Sequence, residues 1–151
     1  MIFEGKIALN VPPEKAWDFL MDIDRFSSCL PGMERVAQID ARSFEGVMGA
    51  TVGPISGKFS FRSTIVESRP PEEFVVRTDG TDSVTNSAMS VDMKVRLTEP
   101  APNRTELGYH AQVEIKGRLA ILGDMILRAT AVVMLEEFIR RLRERLEDGR
   151  E

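Results

Sequence analysis

The chain has one cysteine, one histidine and one tyrosine in 151 residues, so nucleophilic or acid–base chemistry has few candidate owners. Cys29 stands in "SSCLPGMERV", directly before a Leu-Pro-Gly corner. A nucleophilic thiol needs a neighbouring base and an electropositive setting. His110 alternates with Tyr109 and Ala111 in "TELGYHAQVEI", which puts it on the opposite, solvent-facing side of its strand. A Cys29–His110 pair would have to meet through the sheet, so Cys29 reads as a small, readily buried residue at a chain corner. His110 has no HxH, HxxxH or HExxH companion, and a lone histidine does not hold a structural metal. The sequence therefore predicts no metal, no cofactor and no catalytic residue.

Paired carboxylates are the next source of chemistry. Asp22 and Asp24 fall where one short helix hands over to another, a position where Asp caps or turns the chain. Glu136 and Glu137 precede an arginine run and suit ion pairs with Arg140 and Arg141 one helical turn on. "VGPISG" contains glycines but lacks the lysine-serine ending of a phosphate loop and leads into a strand, so it reads as a hairpin turn whose tip flanks a cavity mouth.

The elements that must position these groups follow from periodicity. Residues 2–11 alternate, with Phe3, Ile7, Leu9 and Val11 on one face. "PPEKAWDFLMD" starts a helix on a proline pair, and "IDRFSSC" adds a second short one that stops at Leu30 before Pro31. "MERVAQI", "SFEGVMGATV", "KFSFRSTIVES", "EEFVVRT", "SAMSVDMKVRL" and "TELGYHAQVEI" read as strands, with turns predicted at "GPISG", "DGTD" and "EPAPN". From Arg118 to about Leu146 the pattern is helical throughout, a length of about 40 Å. Antiparallel strands with one apolar face need a cover, and only the last helix can supply it. The expected fold is α+β: a curved seven-stranded antiparallel sheet wrapped around a long C-terminal helix, with two short helices after the first strand. Residues 1–148 form one domain in this reading and 149–151 a tail.

The apolar faces define a candidate ligand cavity. The inward set is Phe44, Met48, Phe59, Phe61, Ile65, Met89, Val91, Met93, Leu107, Tyr109 and Val113 from the strands, with Leu122, Met125, Ile126, Ala129, Val133 and Met134 from the helix. Methionine is an adaptable filler of apolar sites, and the interleaved polar groups are few and neutral: Ser63, Thr85, Ser87 and Tyr109. Such a lining suits a lipid-like or aromatic molecule. Gly123 falls inside the predicted helix, either for close packing or to leave room for a ligand. "MILRATAVVML" is apolar on nearly all sides, so that part of the helix is either deeply covered or contacts something else. Arg140, Arg141, Arg143 and Arg145 form a local basic surface, for a solvated face, an anionic lipid surface or an acidic partner.

Composition narrows the class. The chain is 42% hydrophobic and 29% charged with a net charge of −4, which excludes nucleic acid as a default partner. Glu4 and Lys6 interrupt any signal-peptide core, and no run of about 18 apolar residues occurs, so a cytoplasmic protein is expected. A single cysteine suits a reducing compartment.

Four stretches carry a resemblance: "FEGKIALNVPPEKAWDFLMD", "CLPGMERV", "VGPISGKFSF" and "VEIKGRLAILGDMI", in that order along the chain. Together they resemble the START-like (SRPBCC) superfamily of helix-grip folds, and more narrowly the CoxG family of carbon monoxide dehydrogenase. The resemblance implies a non-catalytic accessory protein of a molybdenum hydroxylase such as aerobic carbon monoxide dehydrogenase. Its implied tasks are assembly, recruitment to the cytoplasmic membrane, and binding of a hydrophobic molecule, lipid or isoprenoid quinone-like, in the grip cavity. Many members continue into a membrane-associating tail, whereas this sequence ends at "RLEDGRE", which puts direct anchoring in doubt. Two alternatives stay open. One is a cyclase- or hydrolase-type enzyme on the same fold, requiring a group such as Asp22, Glu67 or Arg62 inside the cavity. The other is a chaperone-like adaptor that binds a partner polypeptide on the apolar outer side of residues 126–135.

Overall fold

The computed structural model describes residues 1–147 of the 151, so the predicted domain end at 148 and the tail 149–151 lie outside the described residues. The chain runs β1 (Ile2–Leu9), α1 (Pro13–Met21), α2 (Ile23–Cys29), β2 (Met33–Gln38), β3 (Ser43–Val52), β4 (Ile55–Arg69), β5 (Glu73–Asp82), β6 (Ser87–Thr98), β7 (Thr105–Gly117), a 3-10 segment (Arg118–Leu122) and α3 (Asp124–Glu147). The strands form one antiparallel sheet in the order β1-β7-β6-β5-β4-β3-β2, which bends around α3. This is the helix-grip arrangement expected above.

Local chemistry explains the joints. Pro13 opens α1, where its missing N–H costs no hydrogen bond. The Asp22 carboxylate accepts the amides of Asp24 and Arg25 and so caps α2. At the Leu-Pro-Gly corner Gly32 takes φ +82°, and a Cβ there would stand 2.1 Å from the Gly49 carbonyl oxygen. Only glycine fits, and its carbonyl accepts the Gly49 amide at 2.8 Å, locking the corner onto β3. Cys29 is 0% exposed just before this corner. Burial pushes its thiol up more than the guanidinium of Arg145 pulls it down. Such a thiol is a packing group.

Two expectations about continuity are corrected. "DGTD" is not a turn: Asp79–Asp82 complete β5, paired with β4 and β6, and the chain reverses at 83–86 instead. The ladder on both sides outweighs local turn propensity. The helix expected from Arg118 is broken. Gly123 takes φ +86° and ψ 160° between the 3-10 segment and α3, with nothing within 4 Å of a Cβ placed there. It is therefore a backbone joint rather than an interior helical residue packed against a strand.

Candidate functional site

The apolar interior is divided. One core gathers α1, α2 and the C-terminal half of α3 over one end of the sheet: Leu9, Trp17, Phe19, Cys29, Phe74, Val95, Leu107, Leu142 and Leu146. A second, smaller core of Val52, Phe59, Leu119 and Leu127 closes the other end. Between them a transverse row crosses the inner sheet face: Phe44, Ser63, Thr78, Val91 and Val113, each directly opposite the next on neighbouring strands. Phe44, Val91 and Val113 belong to neither core and stay half-buried.

The helix shows the same gap. Its core stripe runs Leu127, Ala131, Met134–Leu135, Phe138, Leu142, at three- and four-residue spacing. Leu127 belongs to the second core and Phe138 packs on the first, whereas Ala131, Met134 and Leu135 between them join neither. α3 meets the sheet mainly near its borders, at β1 and β3, rather than over the central strands. At β1, Arg128 donates to the Ile2 carbonyl at 3.0 Å with its guanidinium 4.7 Å from the centre of the Phe3 ring, and Arg143 donates to the Ala8 carbonyl at 3.3 Å. At β3, the hairpin tip at Gly53 faces Ile126. α3, held at these flanks, carries half-buried Ala131 and Met134 between its two core-packed ends, and the half-buried Val91 row lies between the same two cores on the sheet; the interval between row and stripe is the candidate groove.

The groove is apolar with one polar spot. Ser63, 3% exposed, and Thr78 share a hydrogen bond of 2.7 Å between their hydroxyls. Neither the central row nor the helix stripe above it carries an ionisable side chain. The three groups named for the cyclase- or hydrolase-type alternative lie away from this row: Asp22 caps α2, while Arg62 and Glu67 are exposed. His110 is on the outer face, 3.7 Å from Glu4. Among the described residues no group of three or more His, Cys, Asp or Glu could hold a metal ion.

The sequence-derived cavity residues divide accordingly. Phe44, Val91 and Val113 lie half-buried in the central row and belong to neither core. Ile65, Met93, Leu107 and Tyr109 belong to the first core or pack against it, and Phe59, Met89 and Leu122 do the same at the second. Phe61 is buried edge-on to Phe44, and Met48 is half-buried opposite Phe59. The helical set is corrected. Met125 is 85% and Val133 67% exposed, and Ile126 and Ala129 also face outward. Because 125–135 is apolar on nearly all sides, periodicity does not select its buried stripe: of the expected set Met134 falls on the observed stripe and Leu122 packs at the second core, while Met125, Ile126, Ala129 and Val133 are out of phase with it.

Thr85 and Ser87 are buried but serve a cap. The Asp82 carboxylate accepts the amides of Lys58 and Val84 and the Thr85 hydroxyl, and Ser87 accepts the Leu119 amide. Burial raises the Asp82 carboxyl, but these bonds outweigh it and hold it below its ordinary range. Thr78, Ala131 and Leu135 are absent from the sequence-derived set. Thr78 ends the predicted strand "EEFVVRT", and its alternation with Phe74 and Val76 is the unused signal that places it inward. The Leu127–Leu142–Leu146 spacing is the unused signal for Ala131 and Leu135.

The arginine run is matched from within. Arg140 pairs with Glu137 at 2.7 Å and Glu144 at 2.6 Å, and Arg141 with Glu137 at 3.4 Å. The hydrogen bond from Arg140 holds the Glu137 carboxyl below the usual range. Arg145 reaches Ser28 and the Cys29 sulfur, fastening α3 to α2. Two open surface depressions, of about 510 Å³ along outer α3 and about 980 Å³ on the outer face of β2–β6, are rimmed by charged side chains such as Arg143 and Arg62.

With this geometry in place, comparison with known proteins decides the family. The profile of the carbon monoxide dehydrogenase G-subunit family (CoxG) matches residues 5–147. The chain belongs to the CoxG family. Among curated protein sequences none matches it. Solved structures share its fold. A conserved protein from Geobacillus kaustophilus superposes with a TM-score of 0.91 at 19% identity, covering 99% of this chain and 97% of that one. A START superfamily protein from Mycobacterium smegmatis gives 0.72 at 13% identity, covering 98% of both chains. The Zhui aromatase/cyclase from a Streptomyces species gives 0.65 at 13%, covering 96% and 94%. No helix among the described residues is long and apolar enough to cross a membrane.

Proposed function

We propose that this CoxG-family chain is a non-catalytic carrier. It holds a hydrophobic small molecule, lipid or isoprenoid quinone-like, in the groove between α3 and the sheet, and serves a molybdenum hydroxylase such as an aerobic carbon monoxide dehydrogenase. The observation that carries this reading is the central row, Phe44 to Val113, whose apolar residues stay half-buried and join neither of the two cores. Protein interiors normally pack to near-crystalline density, and a groove with apolar walls and one hydroxyl pair is the kind of site that takes an apolar ligand. Family membership supports the enzyme partner, and with it a cytoplasmic location and peripheral membrane contact. Assembly, membrane recruitment and delivery of an electron acceptor are all compatible with a carrier.

The test is native mass spectrometry of freshly purified protein, followed by organic extraction. A stoichiometric hydrophobic molecule released on denaturation supports the carrier. A clean mass that stays unchanged after incubation with membrane extract refutes it.

One observation favours a second reading, a polypeptide-binding adaptor. Ile121, Met125, Val132 and Val133 are exposed along the 3-10 segment and outer α3, and exposed apolar clusters mark interaction sites. Val133→Asp should then abolish co-purification with the partner enzyme while leaving any groove ligand bound.

A further inference from the structure

The groove floor holds one hydroxyl proton that the protein does not use. Ser63 and Thr78 each carry one O–H, and the single bond between them consumes one of the two. Whichever residue donates, the other keeps its proton, and neither hydroxyl has another partner among the described residues. Three other buried hydroxyls spend their protons within the protein, Thr85 on Asp82, Ser87 on the Thr85 carbonyl and Thr105 on the Val11 carbonyl, while Ser43 shares a bond of 3.3 Å with Thr64 outside the central row. The pair sits in the central row between Phe44 and Val91, at the middle of the groove. Each hydroxyl has one partner, and the one O–H left over is free to donate to an acceptor on a molecule lying against the row.

The electrostatics of the same row limit what that acceptor is. No Lys, Arg or His lies in the row or on the helix stripe above it to meet an anion. The nearby cations are turned outward, as with Arg77, which is bound to Asp79 and Asp92. A carboxylate placed in the groove would be buried without a counter-charge, which is strongly unfavourable.

Resting on the carrier reading, we infer that the groove selects an uncharged apolar molecule bearing a hydrogen-bond acceptor such as a carbonyl, and that the Ser63–Thr78 pair receives that acceptor. Ser63 and Thr78 are thus the specificity-determining residues. Anionic amphiphiles such as free fatty acids are discriminated against.

Three β-substituted naphthalenes of nearly equal shape test this by equilibrium dialysis at neutral pH: the methyl ketone, the ethyl compound and the carboxylate. The ketone should bind about three- to tenfold more tightly than the ethyl compound, the ratio expected for one net hydrogen bond. The carboxylate should bind at least about tenfold more weakly than the ketone. Ser63→Ala combined with Thr78→Val should erase the ketone's advantage and leave the ethyl compound unchanged. Both hydroxyls must go, because either one alone still offers a donor. Should the double variant not fold, the wild-type ranking decides by itself. Equal binding of ketone and ethyl compound, or carboxylate binding as tight as the ketone's, overturns this inference and leaves the carrier reading standing. If none of the three probes binds, both fall.

Discussion

Filling the groove should be nearly free, whereas the same enlargement in the adjacent core should not. Val91 and Val95 lie on the same face of β6, four residues apart. Val91 is half-buried in the central row, while Val95 is 5% exposed inside the first core. Replacing either with Phe adds roughly three to four methylene equivalents, worth at most about 2–3 kcal/mol if they enter an apolar space. Val91 is already partly covered, and ordering the ring costs up to about 1 kcal/mol. A net effect between zero and about 1 kcal/mol of stabilisation is therefore expected for Val91→Phe. At Val95 there is no room, and overpacking costs about 1–3 kcal/mol. Urea denaturation followed by circular dichroism measures both. With a slope of about 2 kcal/mol per molar urea, a difference of about 2 kcal/mol separates the two midpoints by about 1 M. Val91→Phe should also lose any co-purified hydrophobic ligand. Equal destabilisation by the two substitutions would mean that the central row is already packed, and the groove argument would be wrong.

Other predictions concern the backbone, one buried acid and the thiol. Gly123→Ala meets no steric obstacle, yet Gly123 holds φ +86° and ψ 160°, a region reserved for glycine, so the cost is about 1–3 kcal/mol. That lowers the melting temperature by about 3–10 °C, and an unchanged value refutes the backbone reading of this joint. Glu73, on the outer sheet face, is held below its ordinary range chiefly by its hydrogen bond from Arg69, with Lys94 and Arg96 adding to the effect. A carboxyl with a lowered folded pKa stabilises above its unfolded value, about 4.3, and the effect is lost as pH falls through the folded value. The stability gap between wild type and Glu73→Gln should therefore be constant at neutral pH and shrink below about pH 4; a gap independent of pH contradicts it. Cys29, buried and with its thiol pushed up, should react slowly with a disulfide-exchange reagent at mildly alkaline pH. Its labelling should accelerate with urea in step with unfolding, and rapid labelling of the native protein would show that the corner is open.

The order of elements was legible because its signals are local. Period-two alternation marked the strands, the proline pair opened α1, and Leu30-Pro31-Gly32 ended α2 with the one residue type that tolerates the corner. Those alternations also gave the correct inward face for Phe59, Val91, Leu107 and Val113, since a strand has only two faces and only one is apolar. What required the tertiary structure depended on partners distant in sequence. Asp79–Asp82 became strand because β4 and β6 hydrogen-bond it from both sides. The buried stripe of α3 could not be read where 125–135 is apolar all round; Arg128 at β1 and Gly53 at β3 hold that segment in its observed rotation. The arginines that looked like an interaction surface are taken up by Glu137, Glu144, Ala8 and Ser28, two of which lie more than a hundred residues away. The groove itself is the clearest case. Each residue around it follows the pattern of an ordinary core, and only the packed structure shows that Phe44, Val91, Val113, Ala131 and Met134 stay half-buried and join neither core. Hydrophobic pattern determines which side chains turn inward, whereas the distance between two packed elements determines whether they meet.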